Sequence, residues 1–306
     1  MGNLKSGLNP AIIFDIQRFS LHDGPGIRTT VFFKGCPLRC AWCQNPESHL
    51  PRPQPSFYAD QCTLCLTCKT ICPENAILEK KNQRIDHLKC TFCGLCATVC
   101  PEKSIVMIGR KWTCDELLSE ILKDIDFYKD SKGGVTFSGG EPMLHSKFLK
   151  KITGQLKIHG IHVNIETCGV FAMDIMEQIL PFIDMIYFDL KHMNTQTHKK
   201  FTGFDNTSIL ENFSLLSRSF PGLQPRMPVI PGINDTEENI IQTALFLKEN
   251  NHETIHCLPF HNMGEAKLQR IKSELSPVNI KTLGPEKCSY IVEMFKDQGI
   301  EAIVYD

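Results

Sequence analysis

Eight cysteines in two runs of identical spacing constrain this chain more than any other feature. They are Cys62, Cys65, Cys68 and Cys72, closed by Pro73, and Cys90, Cys93, Cys96 and Cys100, closed by Pro101. A segment punctuated by a thiol at every third or fourth position has no apolar stripe for a regular helix or strand, so what the thiols bind must organise it. Fifteen cysteines would suggest disulfides in a small exported protein, but here eleven crowd between Cys36 and Cys100 of a 306-residue chain. A chain of this length, one large domain or about two ordinary ones, can bury a core without covalent staples. The stretch from Met1 to Pro10 holds no apolar segment long enough for an export signal, and the loose acylation pattern at Gly2 to Ser6 reads as a chance match. A cytoplasmic, reducing location is therefore expected, where clustered thiols read as metal or redox ligands.

Each run matches the bacterial ferredoxin pattern, in which three close thiolates hold three irons of a [4Fe-4S] cube and the fourth cysteine ligates the other cube. That wiring assigns Cys62, Cys65, Cys68 and Cys100 to one cluster and Cys90, Cys93, Cys96 and Cys72 to a second. Two four-thiolate zinc sites are the plainer alternative, yet zinc has no use for the third close cysteine of each run. A third group, Cys36-Pro-Leu-Arg-Cys40-Ala-Trp-Cys43, has no fourth neighbour. Three thiolates on a cube leave one iron without a protein ligand, and an open metal position is what catalysis requires.

Around these runs, short β-branched or aromatic segments at Thr30 to Lys34, Gly134 to Ser138, His162 to Glu166, Met185 to Asp189, Arg226 to Ile230 and Thr254 to Leu258 read as strands. Helical periodicity falls at Asp115 to Lys129, Lys147 to His159, Ser208 to Ser217, Glu237 to Glu249 and Glu286 to Asp297. Strand and helix in alternation predict an α/β fold with a parallel sheet, a partial (β/α)6 TIM-like barrel. The cysteine repeat interrupts it in the first strand-to-helix connection. The expected division is a barrel formed by residues 1–57 and 107–306, with a ferredoxin-like insert at 58–106.

The signature Cys-x-x-x-Cys-x-aromatic-Cys, preceded by His22-Asp-Gly-Pro-Gly-Ile-Arg28-Thr29 and followed by both ferredoxin runs, resembles the radical S-adenosylmethionine activating enzymes of glycyl radical enzymes. The resemblance runs from about Ile13 to His261 and is closer to activases with two ferredoxin-type clusters than to the pyruvate formate-lyase activase, which lacks the insert. It implies three [4Fe-4S] clusters, S-adenosylmethionine, a glycyl radical enzyme as protein substrate, and a flavodoxin or ferredoxin-type electron donor. It also implies where the chemistry lies. Cys36, Cys40 and Cys43 would hold the catalytic cluster, with Trp42 facing the adenine and Gln44 alongside.

Every unusual cluster of residues follows a strand, where barrel enzymes place their chemistry. Ser138-Gly139-Gly140-Glu141-Pro142 follows the second strand. Alone it reads as a turn; by resemblance it is similar to the motif that binds the methionine amino group. Glu166-Thr167 ends the third strand and Asp189-Leu190-Lys191 the fourth, positions that in similar enzymes surround the methionine carboxylate, with a monovalent cation between the acids. Glu166 departs from the Asp of some relatives there. Arg226 and His261 are implied as cofactor and ribose contacts. Asp23 would lie where the partner's glycine loop enters. Cys114, Cys168, Cys257 and Cys288 stand outside any ligand run and read as ordinary thiols. Met173, Met176 and Met185 read as core, and Lys147, Lys150 and Lys151 as a solvated helix face.

The formal net charge of -1 offers no field to gather nucleic acid, and no apolar run approaches the length of a membrane span. Two other functions stay open on sequence: a radical enzyme acting on a small molecule, and an electron carrier that uses only the insert.

Overall fold

The computed structural model describes residues 10–271, 273–276 and 278–305; the N-terminal stretch read for export and acylation lies outside them, apart from Pro10. Its strands are β1 (Ala11–Ser20), β2 (Arg28–Phe33), β3 (Gln54–Phe57), β4 (Ile105–Ile108), β5 (Arg110–Trp112), β6 (Gly134–Gly139), β7 (His162–Thr167), β8 (Met185–Asp189), β9 (Leu223–Val229), β10 (Thr254–Pro259) and β11 (Glu301–Val304). Nine form one sheet in the order β11-β10-β9-β8-β7-β6-β2-β1-β5. From β2 through β6 to β11 every pairing is parallel, whereas β1 runs antiparallel to both β2 and β5. With β11 and β5 as its edges the sheet stays open.

Alternation of side chains along each strand divides the molecule into two faces. Val31, Phe33, Val135, Phe137, Val163, Ile165, Ile186, Phe188, Val229 and Ile255 join the main core, together with Leu149, Ile152, Phe213, Leu216, Ala244, Leu247 and Phe295 of the helices that cover the sheet. The intervening residues, Thr30, Thr136, Asn164, Glu166, Asp189 and Arg226, are polar. They line the other, concave face. Arg28 is wholly buried, and its guanidinium donates to Thr136 Oγ1 at 2.7 Å, to the Val135 carbonyl at 2.6 Å and to the Pro25 carbonyl at 3.0 Å. It thereby fixes the loop that carries Asp23.

The six expected strands all form, and the sheet gains a seventh parallel strand, β11, and the β1 and β5 edge. The helix expected over Asp115 to Lys129 is broken. It starts on a capping box at Thr113 and Glu116, passes through a 3-10 turn at Leu122–Asp124 and resumes at Ile125–Ser131. Asp124 accepts from Arg18 Nε at 2.7 Å and from Thr29 Oγ1 at 3.0 Å, contacts that draw the chain towards β1 and β2 at the break. Met176 is in the core, and Lys147, Lys150 and Lys151 are exposed.

The cysteine repeat hangs from an antiparallel pair, β3 and β4, in register from Gln54 opposite Ile108 to Phe57 opposite Ile105. Lys34, buried at the end of β2, donates to Gln54 Oε1 at 3.1 Å and to the Glu47 carbonyl, tying this pair to the main sheet. Sequence repetition becomes backbone repetition: Leu64, Leu66 and Asn75 have positive φ, as do Phe92, Gly94 and Lys103 at the same places in the second run. A small core of Phe57, Ile77, Ile85 and Ile105 packs against Cys68 and Cys96.

Candidate active site

The segment after β2 is a cysteine loop pinned on both sides. On one, Gly35 donates to the Ser48 carbonyl at 2.5 Å and its own carbonyl accepts from the Glu141 amide at 2.7 Å. On the other, the amides of Arg39 and Ala41 donate to the carbonyls of Thr202 and Phe201 at 2.7 and 2.9 Å. Cys36, Cys40 and Cys43 thus open onto a cavity of about 450 Å³ on the concave face, a size suited to a cofactor. Trp42, Gln44, Gly139, Gly140, Glu166, Thr167, Asp189, Lys191, Arg226, His261 and Asp23 share its wall.

Burial raises the Cys40 thiol to about 12 and raises Cys43 as well. Thiols that hold their protons this firmly become thiolates when a metal supplies the counter-charge. Cys168, read from sequence as an ordinary thiol, lines the same cavity and forms a hydrogen bond with Cys36 that lowers Cys36 and raises Cys168. Its position at the end of β7, directly after two predicted site residues, was the only signal for it.

Four charged groups meet across neighbouring strands: Glu166 and Asp189 at the ends of β7 and β8, Lys191 just past β8, and Arg226 midway along β9. Arg226 Nη1 lies 2.5 Å from Glu166 Oε1 and its Nε 3.9 Å from Asp189 Oδ1, with the guanidinium 4.7 Å from the Tyr187 ring centre. Lys191 Nζ donates to Asp189 Oδ2 at 2.9 Å, and Ser138 Oγ to Glu166 Oε2 at 2.5 Å. Burial nonetheless holds the Glu166 carboxyl above its ordinary range, against the pull of Arg226. The register opposes Glu166 to Tyr187 and Asp189 to Arg226, so strand pairing itself sets these distances.

Gly139 and Gly140 are needed where they stand. A Cβ on Gly139, whose φ is +109°, would sit 2.3 Å from the Phe33 amide nitrogen, and one on Gly140 would sit 2.0 Å from the Gly35 carbonyl oxygen. Glu141 and Leu190 are the two expected contacts outside the cavity wall. Glu141 is fully buried, and its carboxylate accepts from Thr167 Oγ1 at 2.9 Å, from the Cys168 amide at 2.8 Å and from the Met143 amide at 3.1 Å, so it braces two strand ends from behind. Leu190 belongs to the main core.

Gln44 bridges the cysteine loop to the segment after β10: its Nε2 donates to the His261 carbonyl at 2.6 Å and its Oε1 accepts from the Gly264 amide at 3.1 Å. His261 Nδ1 is buried with no hydrogen-bond partner among the described residues, and burial lowers the ring's pKa, which favours the neutral imidazole. Asp23 Oδ2 accepts from Thr30 Oγ1 at 2.5 Å, and its carbonyl accepts from Thr136 and Asn164. Tyr305, beyond the unpredicted β11, also reaches the cavity.

In the insert, one small cavity is lined by Cys62, Cys65, Cys68 and Cys100 and another by Cys72, Cys90, Cys93 and Cys96. Each run's fourth cysteine closes the other run's cavity. Among the described residues no three such side chains converge as a single ion requires; the thiols stand round a space, the arrangement a multi-atom cluster needs.

Residues 54–101 match a 4Fe-4S dicluster domain and residues 87–244, which begin after Cys43, match the radical SAM superfamily. The chain is 37% identical to the (2S)-3-sulfopropanediol dehydratase activating enzyme of Klebsiella oxytoca, over 96% of this chain and 97% of that one. It is 39% identical to the trans-4-hydroxy-L-proline dehydratase activating enzyme of Clostridioides difficile, over 94% and 97%. In fold it is like SuiB of Streptococcus suis, solved with its precursor peptide SuiA, at a TM-score of 0.51 and 12% identity over 89% of this chain and 46% of that one. The two activating enzymes, matched over nearly their whole length, show that the chain belongs to the radical SAM activating enzymes of glycyl radical enzymes.

Proposed function

We propose that this chain generates a glycyl radical in a partner enzyme, using three [4Fe-4S] clusters, one catalytic and two in the insert. The chemistry supplied at the concave face by a cube and S-adenosylmethionine is one-electron cleavage of the C5'–S bond, which yields methionine and a 5'-deoxyadenosyl radical able to take hydrogen from a glycine Cα of the partner.

The residues divide that work. Cys36, Cys40 and Cys43 would hold the catalytic cube. Gly139 and Gly140 bring bare backbone to the methionine amino group, while Lys191 and Arg226 offset the methionine carboxylate beside Asp189 and Glu166. Thr167 stands at the same strand end. Trp42 gives its face to the adenine, and neutral His261, with its orphaned Nδ1, receives a ribose hydroxyl. Asp23 borders the entry of the partner's glycine loop. Activation of the partner by Asp23→Ala at the wild-type rate would remove that role.

The donor set speaks against a monovalent cation between the acids. Arg226 already neutralises Glu166 and Lys191 already neutralises Asp189. Electrons come from a flavodoxin or ferredoxin-type donor through the insert, which we take as residues 58–106 between the barrel segments 1–57 and 107–306. Among the described residues no helix is long and apolar enough to cross a membrane, and we place the reaction in the cytoplasm.

One observation carries this reading: three thiols and the charged strand ends of β7 to β9 open onto one cavity. The test is anaerobic reconstitution with iron and sulfide, reduction by dithionite, and addition of S-adenosylmethionine. About twelve irons per chain, four for each cube, and formation of 5'-deoxyadenosine are expected. About eight irons with no 5'-deoxyadenosine would leave only an electron carrier.

A further inference from the structure

The insert is close to symmetric in sequence and backbone, but not in charge. Arg84, in the segment between the two cysteine runs, is 1% exposed and lines the cavity of Cys62, Cys65, Cys68 and Cys100. Its Nη2 donates to Cys62 Sγ at 3.1 Å and its Nη1 to the Leu78 carbonyl at 2.7 Å. The third nitrogen, Nε, is also buried and has no partner among the described residues. A sulfide in that cavity would satisfy it. On the same side, Ser104 Oγ lies 3.2 Å from Cys100 Sγ; Ala76 stands at the matching place after Cys72 and offers only its amide, at 3.3 Å. Among the described residues, the second cavity has no cation in its wall. Arg52, stacked on Phe92 at 4.0 Å, is exposed to solvent. Each wall carries one acid, Glu102 or Glu74, so the acids do not distinguish them.

Reduction of a cube from its 2+ to its 1+ state adds one electron whose charge spreads over the sulfurs. A buried cation and N–H···S bonds favour the reduced state and raise the potential. Because Arg84 is out of water, its field is weakly screened. We propose that Arg84 sets the cluster of Cys62, Cys65, Cys68 and Cys100 at a less negative midpoint potential than that of Cys90, Cys93, Cys96 and Cys72, making the pair unequal stations for the electron. The inference rests on the two-cluster reading above and adds a residue and a direction to it.

The test uses the full chain, reconstituted anaerobically as wild type, Arg84→Gln and Arg84→Lys, with iron measured per chain. Each is titrated with dithionite at stepped potentials and followed by electron paramagnetic resonance, and Cys62→Ser assigns the signals. Wild type should show two insert signals with separate midpoints, the Cys62 cluster the less negative. In Arg84→Gln that midpoint should move to more negative potential while its twin and the cluster that responds to S-adenosylmethionine stay put. Arg84→Lys, which keeps the charge, should move less. Unchanged midpoints in iron-replete Arg84→Gln, or movement of the other cluster alone, would overturn the proposal. So would loss of about four irons from both variants, which would make Arg84 a purely structural residue. Wild-type protein with no insert signals would instead overturn the two-cluster reading.

Discussion

Arg226 keeps two carboxylates in check, and the consequence can be read against pH. Its partner Glu166 already sits above the ordinary carboxylate range because burial outweighs the guanidinium. In Arg226→Met, Glu166 loses its opposing cation and its pKa climbs further. A carboxyl raised in the folded state favours folding most below its unfolded pKa, about 4.3, and that contribution is lost as pH rises through the folded value. The variant should therefore lose about 3 kcal/mol near neutrality and less in acid. Anaerobic melting of variant and wild type at pH of about 5 and about 8 checks this, and an equal gap at both would refute it. Sequence located Glu166, Asp189 and Lys191 by their places at strand ends and Arg226 through the family resemblance, but gave no sign of which acid each cation would take. It also missed Cys168 and Arg84. A lone thiol and a lone arginine in a polar stretch resemble surface residues until the fold buries them.

At the scale of elements, the site depends on one seam, where the end of β6 meets the cysteine loop. Gly140 donates to the Phe33 carbonyl at 2.8 Å, and the next amide to that of Gly35. An alanine at 140 must push these backbones apart. Overpacking costs about 1–3 kcal/mol, so Gly140→Ala should weaken S-adenosylmethionine binding roughly tenfold to a hundredfold and lower iron by up to about four per chain while the insert signals persist. Binding and iron content at wild-type levels would show that the seam yields without harm. The six central strands were legible because β-branched and aromatic residues recur along each short run, on the face that meets the core. The edges were not: β5 is three residues long, and β11 is a four-residue run at the end of the chain. Tyr305 of the cavity was lost with β11.

Across the whole molecule, the proposed relay would carry electrons from the surface to the concave face. Cys65 and Cys93 are exposed, one in each run, so a cluster held by either run would lie close to solvent. Cys65→Ala or Cys93→Ala should leave the Cys36 cluster in place but slow turnover with a flavodoxin donor several-fold; unchanged turnover with that donor would end the relay. The order of the chain was largely legible, since spacing alone marked the insert and alternation marked the barrel. What spacing could not show is how the insert is attached. It enters on β3 and returns on β4, neighbours in one antiparallel pair, and the Tyr58 amide meets the Ser104 carbonyl at 2.7 Å just beyond them. Paired strands lie about 4.8 Å apart, a gap that a two-residue hairpin turn can close. Heredity can therefore add or delete the entire cysteine-bearing segment in one event, with no strand of the main sheet rethreaded, and the ancestry of the insert can be separate from that of the barrel.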